Sequence, residues 1–259
     1  DVVDHFVNLS RDVVSLGVFD KILIESLEYL PLRHGHHHEV IGVDFSADID
    51  FIMSLNFSNK CLETLKQKNI DGEMIRNWVK KTTDDYFNQK TNKEVMNWSD
   101  FQSILDGEFW NYYLAREESI TNINTLVVNE LRKDKNLKIG LVDFGPLYPL
   151  GPNNQRWQNG VNLNSLLPLI DEIHPTFYFA DLDLIKEKYD VYKKVLNNKV
   201  EMIPAMRTIL PQVSNQLDLN NQLQVFNKDA SGFSFHNYSF INYENLDWIN
   251  QSLSENGDI

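Results

Sequence analysis

The sequence contains a single cysteine, no long apolar run and no stretch that resembles a signal peptide. An internal disulfide is excluded because Cys61 has no second cysteine to pair with. Apolar runs such as 166–170 fall far short of the ~20 residues that a transmembrane helix needs. We therefore predict a soluble, cytoplasmic protein without a membrane partner.

Basic side chains are also scarce. The chain has 24 Lys and Arg against 37 Asp and Glu, which gives a net charge of -13. This balance repels phosphate backbones and anionic lipids, so it removes the electrostatic attraction on which nucleic-acid binding depends. Nucleic acid is therefore excluded as an expected partner.

An initiator methionine is missing as well, and an amphipathic helical pattern begins abruptly at the first residues. We expect the chain to be the C-terminal part of a longer polypeptide, whose earlier segment is then a partner in folding.

Short aliphatic or β-branched runs recur along the 259 residues, and a helical pattern follows each of them, which is typical of parallel βα units. These five predicted strands are 21–25, 138–143, 176–180, 200–206 and 232–238. Between the first and second strands, more than 110 residues carry helical patterns only. We interpret about 45–106 as a helical insertion.

Two architectures with parallel strands compete. A doubly wound nucleotide-binding fold normally has a glycine-rich turn after its first strand, but here Ser-Leu-Glu-Tyr-Leu-Pro follows Glu25. In a (β/α)8 TIM barrel, the polar residues that take part in chemistry lie at the carboxyl ends of the strands. Four of these five predicted strands have polar residues at that end. We therefore predict an α/β fold in which the chain supplies about strands 4 to 8 of a TIM barrel. Residues 1–259 would then form the C-terminal part of one barrel domain.

The densest group of polar residues follows the first strand, where a barrel places a catalytic loop. Glu25 ends that strand, and Glu28 and Glu39 flank a loop that contains His34, His37 and His38. A partly desolvated carboxyl group in this position can act as a general acid. We therefore expect Glu25 to be catalytic, and Glu28 and Glu39 to contact substrate.

The histidines also allow a metal site, since neutral imidazole is a common zinc ligand. Their alternating spacing differs from the one-turn spacing of a helical zinc motif, and no second ligand cluster accompanies them. We therefore expect His34, His37 and His38 to hydrogen-bond substrate, and we predict neither a metal nor another cofactor. A metal-dependent hydrolase that uses the 34–39 cluster remains an alternative.

Further candidates lie at the ends of the later strands. Asp143 ends the second strand and is a candidate catalytic acid. Trp157 offers a flat face for a sugar ring. Arg207 can clamp a carboxylate, and His236 and Asn237 can hydrogen-bond a substrate in the fifth strand.

Two segments carry a resemblance: Glu-Ser-Leu-Glu-Tyr-Leu-Pro-x-Arg-His-Gly-x-His-His-Glu over 25–39, and Gly-Phe-Ser-Phe-x-Asn-Tyr over 232–238. The chain resembles a poorly characterised bacterial family of glycoside-hydrolase-like TIM-barrel proteins. This resemblance implies a carbohydrate ligand at the C-terminal mouth of the barrel, with Glu25 where many barrel glycosidases keep the proton donor.

Those glycosidases pair the donor with a second carboxylate about 5 to 9 Å away. In those enzymes the second carboxylate usually lies at the end of strand 7, but the strand predicted at that position here ends in Ala-Met-Arg. Asp143 or Asp181 would then have to provide the second carboxylate. A non-catalytic carbohydrate-binding pseudoenzyme is therefore a further alternative to hydrolysis.

Overall fold

The computed structural model describes residues 2–30, 32, 46–88, 101–147, 158–197, 199–226 and 230–255. The chain forms two compact units. Unit 1 comprises Asp1–Leu27, Ile123–Tyr148 and Leu163–Ile259, and unit 2 comprises Glu28–Asn122 and Pro149–Asn162.

Unit 1 contains all the strands that lie in the described residues. Four parallel strands pair in chain order: β1 (Lys21–Ile24), β2 (Lys138–Asp143), β3 (Glu172–Pro175) and β4 (Glu201–Met202). A second parallel pair consists of β5 (Ala205–Arg207) and β6 (Ser234–His236). One parallel bridge joins Thr176 to Ala205.

The described residues also form α-helices in both units. They are α1 (Val2–Ser15), α2 (Ala47–Met53), α3 (Asn59–Gln67), α4 (Gly72–Phe87), α5 (Glu108–Leu131), α6 (Leu163–Leu166), α7 (Leu182–Leu196), α8 (Gln216–Phe226) and α9 (Tyr243–Glu255). The aspartate that caps α7 is Asp181, whose carboxylate accepts hydrogen bonds from the backbone amides of Asp183 and Leu184. Such a cap satisfies amides that have no partner within the helix.

The core of unit 1 forms between one sheet face and the helices. The buried strand residues Ile139, Ile173 and Met206 belong to it, together with aromatic residues of α7 and α8. The ring of Phe177 lies 5.7 Å from that of Tyr192 and 4.9 Å from that of Phe226. The helices therefore cover the apolar face of the sheet.

Unit 2 is helical in its described residues and has an aromatic core. Helices α2, α3 and α4, a 3-10 helix over Phe101–Gly107 and the first part of α5 contribute to it. The rings of Phe101 and Phe109 meet edge to face at 5.4 Å, and both side chains are fully buried.

The prediction of a TIM barrel with strands 4 to 8 is wrong. The described strands form a small four-stranded parallel sheet and a two-stranded parallel sheet, without a closed barrel. The predicted third strand, 176–180, actually lies earlier, at Glu172–Pro175. The fourth, 200–206, is split into β4 and β5. Alternating strands and helices give the same sequence pattern in open and closed sheets, so the pattern alone does not determine closure.

No helix in the described ranges is both long enough and apolar enough to cross a membrane.

Candidate functional site

The two faces of the sheet in unit 1 differ in polarity. Successive residues of a strand point to opposite faces, and the register aligns Leu23, Gly140 and Glu172 across three neighbouring strands. His174, two residues after Glu172, lies on the same face. Ile139 and Ile173 occupy the other face and are fully buried. The face with Glu172 and His174 carries ionisable groups, and we call it the polar face.

A buried ion pair lies at the start of the strands on the polar face. Glu172 is fully buried, and its carboxylate is 2.8 Å from the Lys21 ammonium and 2.8 Å from Nε2 of His174. Burial opposes ionisation of Glu172, but the bonds from Lys21 and His174 outweigh it and hold its pKa below the usual value. Burial lowers the pKa of His174 as well, so this imidazole stays neutral and donates to the carboxylate.

Gly140 makes room for this buried carboxylate. A Cβ atom at position 140 would lie 2.9 Å from Cγ and 3.0 Å from Oε1 of Glu172, and it would also collide with the side chain of Leu23. Only a residue without a side chain therefore fits between β1 and β3 here.

A second polar group lies where the strands end. Arg207 and His236 are register partners at the ends of β5 and β6. The guanidinium carbon of Arg207 is 4.3 Å from the ring centroid of Tyr178. The Tyr178 and His236 rings are stacked, with centroids 5.6 Å apart and planes inclined by 28°. Together with Glu25, which directly follows β1, these residues form what we call the strand-end cluster.

The charges of Glu25 and Arg207 both reach the two rings. Burial raises the pKa of Tyr178 to about 12, with a further increase from Glu25 and an opposing effect of Arg207. Burial and the Arg207 charge lower the pKa of His236, whereas Glu25 raises it. At neutral pH the cluster therefore presents a protonated phenol, a neutral imidazole, a guanidinium and a carboxylate.

Two groups of the cluster retain bonding capacity. The Glu25 side chain is exposed and makes neither a hydrogen bond nor an ion pair with any residue that the structure describes. The Nε–H of Arg207 is buried and has no hydrogen-bond partner within the described ranges. Unpaired buried donors are rare in native proteins, so a ligand acceptor is a natural partner for this one.

Asp143 does not share this environment. Its carboxylate is buried on the helix side of the sheet, where it accepts a 2.6 Å hydrogen bond from the Tyr192 hydroxyl and a 2.9 Å bond from the Gly145 amide. By strand alternation, Asp143 and the polar face lie on opposite sides of β2. The predicted pair of catalytic acids, Glu25 and Asp143, therefore does not come together on one face.

Glu28 and Asn237, which were predicted to bind substrate, form hydrogen bonds within their own units. Glu28 belongs to unit 2, where its carboxylate accepts a 2.9 Å hydrogen bond from Nδ2 of Asn159. Asn237 caps the 3-10 helix Tyr238–Phe240 in unit 1, and its side chain accepts a 2.8 Å bond from the Ser239 amide.

The other predicted substrate-binding residues lie outside the described residues: His34, His37, His38, Glu39 and Trp157. Across the part of the chain that is described, no three His, Cys, Asp or Glu side chains come together as potential metal ligands.

Tyr178, Glu172 and His174 were not among the site residues that the sequence predicted. Tyr178 falls in the predicted strand 176–180, to which only an aliphatic or β-branched character was assigned. Glu172 and His174 precede that run, so the late strand assignment left them outside the sheet. Their alternation with Ile173 was the signal that could have placed them on one face.

Comparison with models of known protein families gives no match for this chain, and a search of curated proteins gives none either.

Proposed function

We propose that unit 1 binds a carbohydrate at the strand-end cluster. The observation that carries the proposal is the exposed Glu25 carboxylate, which has no bonding partner in the described chain and whose charge acts on Tyr178 and His236, in a cluster that offers donors of three kinds. Sugars present many hydroxyl groups that both donate and accept hydrogen bonds. A carboxylate accepts, a guanidinium donates, and a phenol and a neutral imidazole do both.

Aromatic side chains near His236 support a sugar ligand further. Tyr238, Phe240 and Tyr243 follow β6 within seven residues and are 75%, 73% and 86% exposed. Exposed aromatic faces can pack against the C–H side of a sugar ring. The combination of such faces with several charged and polar groups suits a polyhydroxylated ligand better than an apolar one.

The geometry favours binding without hydrolysis by the Glu25 and Asp143 pair. Glycosidases need two carboxyl groups on opposite sides of one scissile bond. Asp143 is buried on the helix side of the sheet and is engaged by Tyr192, so it does not supply the second group beside Glu25. The proposal is therefore a non-catalytic carbohydrate-binding protein, with hydrolysis as the competing outcome.

The test is a panel of immobilised oligosaccharides, followed by titration calorimetry with the best ligand. The variants Glu25→Gln and Arg207→Met should each weaken binding by about tenfold or more, because each removes a charge-assisted hydrogen bond. Glu187→Gln and Arg11→Met change the same residue types at exposed positions on α7 and α1 and should leave the affinity unchanged.

Reducing ends are measured in the same samples. If the wild type releases them and Glu25→Gln stops the release, the protein is a glycosidase and the non-catalytic proposal fails. If no saccharide binds, or the two cluster variants bind as well as their controls, the carbohydrate proposal itself fails.

A further inference from the structure

Unit 2 contains a cavity of about 260 Å³ between α3 and the first part of α5. All of its lining residues belong to unit 2, so it is separate from the strand-end cluster. Tyr29, Leu65, Tyr112 and Ala115 give it apolar walls. The cavity is large enough for a small organic molecule of a few functional groups.

The cavity is lined by a buried arginine. Arg116 is only 5% exposed, and its guanidinium carbon is 4.1 Å from the ring centroid of Tyr29. Nη2 donates a 3.2 Å hydrogen bond to the backbone oxygen of Gln158, whereas the buried Nε–H has no partner among the described residues. A guanidinium has five N–H donors, so Arg116 retains donors for a ligand beside those it shares with Gln158 and with the Tyr112 hydroxyl.

No carboxylate neutralises Arg116 within the described chain. The adjacent Glu117 is engaged elsewhere: it accepts hydrogen bonds from the Tyr113 hydroxyl and from Nδ2 of Asn162. Buried charges in proteins are almost always paired, because an isolated charge loses its hydration without compensation. An anion in the cavity would supply the negative charge that no described residue supplies to Arg116.

The charges of the lining specify how many negative charges the ligand needs. Two lysines also line the cavity, but Lys68 is 2.7 Å from Glu118 and Lys60 is 3.8 Å from Glu63. Among the described lining residues none is acidic. Arg116 is thus the buried cation of the lining that has no carboxylate partner among the described residues, and a monoanion would match it.

The other polar side chains near Arg116 do not supply that negative charge. Burial raises the pKa of the Cys61 thiol and raises the pKa of Tyr112 to about 12, so both groups are protonated at neutral pH. Cys61 Sγ and the Tyr112 hydroxyl both donate to the backbone oxygen of Asn56, at 3.0 and 3.1 Å.

We propose that this cavity binds a small organic monocarboxylate, with its carboxylate on Arg116 and its apolar body between Tyr29, Tyr112 and Leu65. The planar guanidinium matches the two oxygens of a carboxylate. Inorganic phosphate would leave the apolar walls uncovered and would bring more negative charge than the single unpaired cation balances.

The test uses the whole chain, with benzoate and hexanoate as probes, benzamide as the neutral analogue of benzoate and inorganic phosphate as the competing anion. Titration calorimetry should detect binding of at least one carboxylate, and benzamide should bind at least tenfold more weakly. Arg116→Met should weaken carboxylate binding by tenfold or more. Arg76→Met is the matched control, because Arg76 is half-exposed on α4 and does not line the cavity.

A second measurement does not depend on the folding of an Arg116 variant. Cys61 is the only cysteine of the chain and lines the cavity, so alkylation by iodoacetamide reports on its occupancy. Bound benzoate should slow the alkylation several-fold in the wild type. Ser119 lines the cavity, so the larger side chain of Ser119→Trp should reduce the space for a ligand and weaken carboxylate binding.

Three results would overturn the proposal. They are the absence of carboxylate binding together with unchanged alkylation of Cys61, equal affinity for benzoate and benzamide, or tighter binding of inorganic phosphate than of any carboxylate. None of these results bears on the carbohydrate proposal, because the two sites share no residue.

Discussion

The Tyr192 hydroxyl donates a 2.6 Å hydrogen bond to the carboxylate of Asp143, and both side chains are buried. This bond ties α7 to β2 on the apolar side of the sheet. It assigns Asp143 a role in joining helix and strand, although the sequence placed the same residue among the catalytic candidates.

Removing the hydroxyl should therefore weaken folding and not ligand binding. We expect Tyr192→Phe to lower the free energy of unfolding by about 1 to 3 kcal/mol, because a buried carboxylate loses a partner. Urea unfolding measures this change, with Tyr238→Phe, at a ring 75% exposed, as the control. Unfolding free energies that are equal in the two variants would contradict the role of this bond.

Gly140→Ala should destabilise unit 1 by about 1 to 3 kcal/mol, as overpacking does in tight interiors. The new methyl group would press against Cγ of Glu172 at 2.9 Å and against Leu23. Gly232→Ala is the control, because its nearest neighbour would lie 3.4 Å away, at an ordinary contact distance. Chemical unfolding of both variants checks the expectation, and a fully stable Gly140→Ala protein would show that the strands have room to separate.

Stability should fall as the pH is lowered below about 6.5, in part because of His174. Its pKa is lower in the folded protein than the usual value of 6.5, mainly through burial. The unfolded chain therefore binds more protons than the folded one in this range, and protonation favours unfolding. Glu172, whose pKa is also lowered, contributes stability that is lost only as the pH falls below its usual value of 4.5.

The measurement is the melting temperature between pH 7 and pH 5. His174→Gln should flatten the pH dependence in that window, whereas His5→Gln, at an exposed position on α1, should leave it as in the wild type. If His174→Gln keeps the wild-type slope, the imidazole is not a neutral donor to Glu172.

Two variants of the strand-end cluster should shift the pKa of His236 in opposite directions. Arg207 lowers the pKa of His236 and Glu25 raises it. Arg207→Met should therefore raise the His236 pKa, and Glu25→Gln should lower it further. An NMR titration of the imidazole resonances measures both shifts, with Arg11→Met as the control. Shifts of the same sign would mean that the two charges do not both act on His236.

The amino-acid sequence determined the elements of this protein more reliably than their assembly. Aliphatic runs followed by amphipathic patterns predicted the β1, β2, α7 and α9 segments, because side-chain periodicity reflects which residues share a buried face. Side-chain periodicity could not predict barrel closure, because closure depends on hydrogen bonds between strands that are far apart in the chain.

The chemistry of single residues was decided by tertiary structure. Asp143 and Glu25 both follow or end aliphatic strands, but alternation and packing turned Asp143 toward Tyr192 and left Glu25 exposed. Arg116 is one polar residue of a long helix in the sequence, without any local motif. Its burial against Tyr29 without a neighbouring carboxylate arises only when separate segments pack together, because the free energy of a charge depends on all the groups that surround it.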